Sequence, residues 1–262
     1  MIGHGVDGIV AVGTTGEAYA LSLSERAEVA KAVTKQVAGR VPMLAGVGGM
    51  ATREAIEHAK IGKDAGADGL MIASPAYSVP TQDEIADHMR AVVDSAGIPA
   101  VLYDYPSRIG VSIEAGALDA LADHTLIVGI KEASGDLGRL PMLAKYAGRI
   151  DVVCGADLDS VSLFDAGAVS WIAGAGNALP KAHLAILDPE LTVSMPPGLT
   201  ASTGFDALMH AIEAYYHRYA MPQTDMYALA AMGRIIKHLP RAVANGSDME
   251  AREQMLLAAM EA

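Results

Sequence analysis

The chain has 262 residues, 52% of them hydrophobic and only 5% aromatic, enough for one large domain or two small ones with cores of small and branched aliphatic side chains. Its formal net charge of −12, with no basic run, argues against nucleic acid or an anionic membrane surface as a partner. The lone Cys154 excludes an internal disulfide and fits a reducing, cytoplasmic setting; the start has no signal-peptide pattern, and no apolar run approaches the roughly 20 residues that span a bilayer.

In chain order, short β-rich runs are expected at 8–13, 41–47, 69–74, 100–105, 126–131, 150–154 and 170–173. Helical patterns separate the earlier ones. Ser24 is the expected cap of the first helix, Thr52 opens the second, and Thr81-Gln-Asp-Glu84 reads as a capping box ahead of Ile85 and Met89. Gly66, Gly97 and Gly148 stand where such helices should stop. The repeat of roughly 20–35 residues is that of successive βα units.

The strands are continuously apolar rather than alternating, so both faces should be covered. That leaves a doubly wound sheet or a β/α barrel. Polar residues follow many of the strands: Thr14, Thr15, Tyr77, Arg108, Lys131 and Asp157. A barrel gathers all such strand ends at one mouth, whereas a doubly wound sheet gathers only those near its switch point. The number of contributing strands favours the barrel.

Lys131 closes the apolar run Ile127-Val-Gly-Ile and is followed by Glu-Ala-Ser-Gly-Asp136. Burial disfavours the charged amine, and a neutral amine attacks carbonyl carbon to give a Schiff base. The alternative is a lysine that snorkels to the strand end and pairs with Glu132.

Near residue 180 the composition changes. No further βα unit follows Asn177-Ala-Leu-Pro180, the stretch 188–197 reads as extended and broken by prolines, and helical patterns occupy about 201–218, 223–239 and 248–262. The expected organisation is a β/α domain over 1–180, a linker over 181–200 and an all-α tail over 201–262.

Four motifs occur in order: Gly13-Thr14-Thr15-Gly16-Glu17, Ser74-Pro75-Ala76-Tyr77, Leu102-Tyr103-Asp104-Tyr105-Pro106-Ser107-Arg108-Ile109-Gly110 and Gly129-Ile130-Lys131-Glu132-Ala133-Ser134-Gly135-Asp136. With them the first 180 residues resemble the dihydrodipicolinate synthase and N-acetylneuraminate lyase family. The resemblance implies a TIM-type β/α barrel that forms an imine between a strand-end lysine and a 2-oxo acid, usually pyruvate, with no metal or other cofactor. It implies Lys131 as the imine-forming residue, Tyr103 as the proton carrier beside it, and Thr14 and Tyr77 as the extension of that relay. It implies Thr15, Gly16 and the loop amides as a carboxylate site, Gly155 as a further substrate contact, and Arg108 as the grip on a second carboxylate. Locally, the Thr14–Thr15 turn also reads as a helix cap, and Arg108 as a surface ion pair.

The pattern departs from the family in several places. The family relay draws a tyrosine from a neighbouring subunit, and here Ala76 stands beside Tyr77. Asp104, Tyr105 and Gly155-Ala156-Asp157 differ from the common synthase motifs, so the second substrate is left open. The match begins only at the approach to strand two. The barrel is therefore expected to lack its first βα unit, with seven recognisable strands and unpaired first and last edges. Those edges and the resemblance both imply a homo-oligomer.

The stretch from Leu199-Thr-Ala-Ser-Thr-Gly-Phe-Asp206 through His210 to Tyr215 resembles an iron-dependent alcohol dehydrogenase, and the likeness runs over about 184–262. Asp206 and His210 lie one helical turn apart and bind metal in that family. The family's complete site needs further histidines, so the two are weak metal candidates, and a helix with a satisfied Asp–His pair is the preferred reading. Three functional readings follow in order: a Schiff-base lyase or synthase, an inactive fusion of two truncated enzymes, and a metal-dependent alcohol oxidation.

Overall fold

The computed structural model describes residues 1–218 and 221–262. These form two compact units, Met1–Ala178 and Leu179–Ala262.

The first unit is a seven-stranded parallel sheet whose strands pair in chain order. Its elements are β1 (Ile9–Ala11), α1 (Leu23–Val37), β2 (Met43–Val47), α2 (Thr52–Asp64), β3 (Gly69–Ala73), α3 (Gln82–Ala96) and β4 (Ala100–Asp104). Then come α4 (Pro106–Ile109), α5 (Ala115–Leu121), β5 (Ile127–Glu132), α6 (Leu140–Leu143), β6 (Asp151–Cys154), α7 (Ser160–Asp165) and β7 (Ser170–Trp171). This is the expected TIM-type barrel short of one βα unit, a half-barrel. Among the described residues the outer edges of β1 and β7 pair with no strand.

Continuous apolarity in the strands has its cause here. One face of the sheet packs Leu70, Ile72, Leu102, Ile130 and Cys154 against helical residues such as Ile85, Met89 and Leu118. The opposite face carries a smaller cluster of Met71, Tyr103 and Ala133. Strand alternation sorts the two sets, and all five residues of β4 are buried.

Two local expectations are corrected. β1 ends at Ala11 rather than 13, because Val12 turns the chain at φ 48°, a conformation that a β-branched side chain rarely adopts. The neighbouring strand has made room for it: a Cβ on Gly46 would stand 2.4 Å from the Val12 carbonyl oxygen. The cap of α1 is Ser22, not Ser24. Ser22 accepts the Glu25 amide while Glu25 bonds back to the Ser22 amide; Ser24 has Ala27, not an acid, three residues on and so cannot build this box. The Thr81–Glu84 box opens α3 as expected, and Gly97 closes it at φ 64°.

The second unit contains α8 (Pro180–Leu187), α9 (Glu190–Val193), α10 (Pro197–Tyr216), α11 (Pro222–Ala244) and α12 (Met249–Glu261). The stretch expected to be extended thus holds a short helix. The prolines at 180, 197 and 222 occupy first helical turns, where the missing N–H costs nothing, so they start helices rather than break them. Ala207, Ile235 and Ala258 form the core of α10, α11 and α12, with Leu208, Leu239 and Met255 around it. Gly204 admits Leu239, whose Cδ1 would lie 2.3 Å from a Cβ there. Among the described residues no helix is long and apolar enough to cross a membrane.

Candidate active site

The strand ends of the first unit open into a cleft of about 1230 Å³. Thr14, Thr15, Tyr103, Arg108, Lys131 and Gly155 all line it. Tyr77 and Gly16 are not part of that lining. Tyr77 is 88% exposed and held at φ 70°, a conformation unusual for a bulky residue.

Parallel pairing of β4 with β5 sets Tyr103 opposite Lys131. The Lys131 amine sits 4.4 Å from the centre of the Tyr103 ring, and Tyr105 stacks on that ring at 5.6 Å. Burial pushes the Lys131 amine down to about 8, against the opposing pull of Asp157. The Tyr103 phenol is pushed up to about 12 by burial, with the Thr14 hydroxyl pulling it back. The pair therefore offers an amine that is neutral in a useful fraction near pH 8 and a phenol that keeps its proton.

Gly155 shapes the lysine. A Cβ there would lie 2.7 Å from Lys131 Cγ and 2.8 Å from Cε, so only glycine leaves the side chain its present path. The pairing of Lys131 with Glu132, open from sequence, is not what the fold builds. Alternation sends Glu132 to the other face, where Arg139 donates to its carboxylate at 3.3 Å.

The Gly13–Gly16 turn uses the Gly16 amide to Gly13 and the Glu17 amide to Thr14. The Thr14 and Thr15 amides stand outside those bonds. With Ser22 capping α1, the two threonines do not serve as its cap. Arg108 is exposed at the end of α4, within the cleft wall.

Sequence reading left Asp157 without a role, although it had marked its strand-end position. The structure fixes that carboxylate by the Trp171 indole N–H at 3.1 Å and the Ala175 amide at 3.0 Å, in the cleft wall near the lysine. Ser74 also lines the cleft, and its hydroxyl is buried without a hydrogen-bond partner. Ser74 opens the Ser74-Pro75-Ala76-Tyr77 motif, in which the sequence pattern assigns a role to Tyr77 alone.

In the second unit Asp206 and His210 both lie on the exposed side of α10. Among the described residues no three His, Cys, Asp or Glu side chains gather to hold a metal ion. Two exposed ligands do not make a metal centre.

The sequence profile described as the dihydrodipicolinate synthetase family matches residues 1–192. The chain belongs to this family. The profile of the Fe-containing alcohol dehydrogenase family, C-terminal, matches residues 200–262. The 4-hydroxy-tetrahydrodipicolinate synthase of Geobacter metallireducens is 40% identical over 188 residues, 71% of this chain and 65% of that protein. The synthase of Thioalkalivibrio sulfidiphilus is 34% identical over 235 residues, 89% of this chain and 79% of that one. The chain spans about two thirds of the length of the Geobacter relative. Among solved structures, the chloride-inhibited dihydrodipicolinate synthase from Acinetobacter baumannii complexed with pyruvate superposes with a TM-score of 0.69 at 31% identity, covering 94% of this chain and 88% of that chain. The 4-hydroxy-tetrahydrodipicolinate synthase from Methylacidiphilum fumariolicum gives 0.70 at 27% identity, covering 97% and 89%.

Proposed function

We propose that the chain is a Schiff-base synthase of this family, joining pyruvate or a related 2-oxo acid to an aldehyde. The observation that carries the reading is the buried Lys131 amine 4.4 Å from the Tyr103 ring in a cleft that also presents Thr14, Thr15 and Arg108. The neutral amine attacks the 2-oxo carbon, and loss of water leaves the imine. Tyr103, with Thr14, carries protons to the departing oxygen and from the adjacent methyl group, which gives the enamine. The enamine carbon adds to the aldehyde carbon, and hydrolysis returns Lys131. Thr15 and the Thr14–Thr15 amides bind the 2-oxo acid carboxylate, and Arg108 binds the acid group of the second substrate. The pyruvate in the Acinetobacter structure supports the substrate class. A homo-oligomer and a cytoplasmic setting belong to the same reading, supported by the exposed Tyr77 and the single, buried Cys154.

Borohydride trapping with pyruvate, followed by intact mass and peptide mapping, tests it. One reduced pyruvyl adduct on Lys131, absent from Lys131→Ala, is expected. Folded protein that traps no 2-oxo acid would overturn it. The unpaired edges of β1 and β7 favour a second reading, a folded chain without turnover; no trapping together with no pyruvate-induced rise in melting temperature would establish that instead.

A further inference from the structure

The two strands that carry Tyr103 and Lys131 end one residue later in acids. Asp104 stands opposite Glu132 in the β4–β5 register, on the helix-covered face. Neighbouring buried carboxylates repel, yet one side chain bridges them. Arg139, only 7% exposed, donates from Nη2 to Asp104 at 2.7 Å and from Nε to Glu132 at 3.3 Å. Its Nη1 reaches Glu114 at 2.6 Å, and Nη2 also donates to the Ile113 carbonyl at 2.7 Å. A planar fork of fixed geometry suits this task, and a lysine could not span the same partners.

The bridge continues into the backbone. The Ile113 amide donates to Asp104 at 3.1 Å, and the Ser134 amide to Glu132 at 2.6 Å. The Ala133 amide donates to the Asp104 carbonyl and the Gly155 amide to the Glu132 carbonyl, at 3.0 and 2.8 Å. Gly155 is the residue that gives Lys131 its path. One guanidinium therefore fastens the ends of β4 and β5 from behind the sheet, and the Glu132 carbonyl carries the tie to the residue after β6.

We propose that Arg139 is a positioning residue: by joining Asp104 to Glu132 on the covered face, it holds the Tyr103–Lys131 pair in place on the cleft face. The inference rests on the imine reading for its chemical meaning, and its test has one arm that does not need pyruvate.

Arg139→Gln and Arg139→Lys are compared with the unaltered chain, at a temperature where circular dichroism shows each folded. In the first arm, competitive acylation across pH reads the midpoint at which the Lys131 amine becomes reactive. In the second, borohydride trapping reads the rate of adduct formation with pyruvate. The midpoint in Arg139→Gln is expected to move up, towards that of an ordinary lysine, because unpaired acids and entering water both favour the charged amine. Trapping is expected to slow at least about tenfold, the scale of a small misplacement, and Arg139→Lys falls between. If Arg139→Gln does not fold, Arg139→Lys alone decides. An unmoved Lys131 midpoint in folded variant protein would overturn the proposal, even with a lowered melting temperature, since that is what a merely structural arginine predicts. Failure of the unaltered chain to trap pyruvate strikes the imine reading and leaves the acylation arm to judge Arg139.

Discussion

At Lys131, burial and proton affinity are one fact seen twice. The amine is brought from its ordinary 10.5 down to about 8 because water is excluded from it. Between those two values the unfolded chain binds more protons than the folded one, so this group adds stability as pH rises from 8 towards 10.5. The same titration governs reactivity. Adduct formation with pyruvate is expected to rise with pH to a midpoint near 8, and a midpoint near 10.5 would show that the lysine is solvated. The neighbour that shapes the lysine is equally testable. Gly155→Ala would set a methyl group 2.7 Å from Lys131 Cγ and 2.8 Å from the Glu132 carbonyl. Overpacking of this kind costs about 1–3 kcal/mol. The lysine must leave its path, so trapping should fall at least about tenfold while the circular dichroism spectrum is retained.

At the scale of elements, capping and close approach decide where the chain turns. Ser22 takes the Glu25 amide and begins α1. Ser22→Ala should lower stability by about 1 kcal/mol, the usual worth of an N-cap, whereas Ser24→Ala should change it little; urea denaturation of the two variants separates the alternatives. Gly46 serves the opposite purpose, leaving space rather than filling it. A side chain there would collide with the Val12 carbonyl at 2.4 Å, and Val12 leads directly into the Gly13–Gly16 turn. Gly46→Ala is therefore expected to weaken pyruvate binding through that turn, read as a lost thermal shift. The open edges of β1 and β7 expose backbone groups that a complete barrel would pair.

At the scale of the molecule, each unit has its own core. Unit one is built around the parallel sheet, and unit two around Ala207, Ile235 and Ala258. Arg252 is the polar counterpart of that second core. Buried, it donates to the Thr200 hydroxyl at 2.8 Å, the Met195 carbonyl at 3.1 Å and the Gly246 carbonyl at 2.9 Å. Arg252→Ala strands these acceptors and should cost about 2–4 kcal/mol. Urea denaturation followed by far-ultraviolet dichroism reads that loss as a lowered midpoint.

The sequence by itself determined the succession of seven strands, the buried, continuously apolar character of strands such as β4 and the change of character near residue 180. These are written in local periodicity and in short motifs, which a reader of neighbouring residues can see. It was less exact where two local signals competed, as with Ser22 and Ser24, or where prolines start helices instead of ending them. Only the tertiary structure decided that Tyr77 and Gly16 stand outside the cleft lining, that Asp157 faces the lysine, and that Glu132 turns away from Lys131 to Arg139. Arg139 finds its acids 7, 25 and 35 residues away. No pattern in a linear window encodes such a bridge, because it exists only after parallel pairing has brought the ends of β4 and β5 side by side.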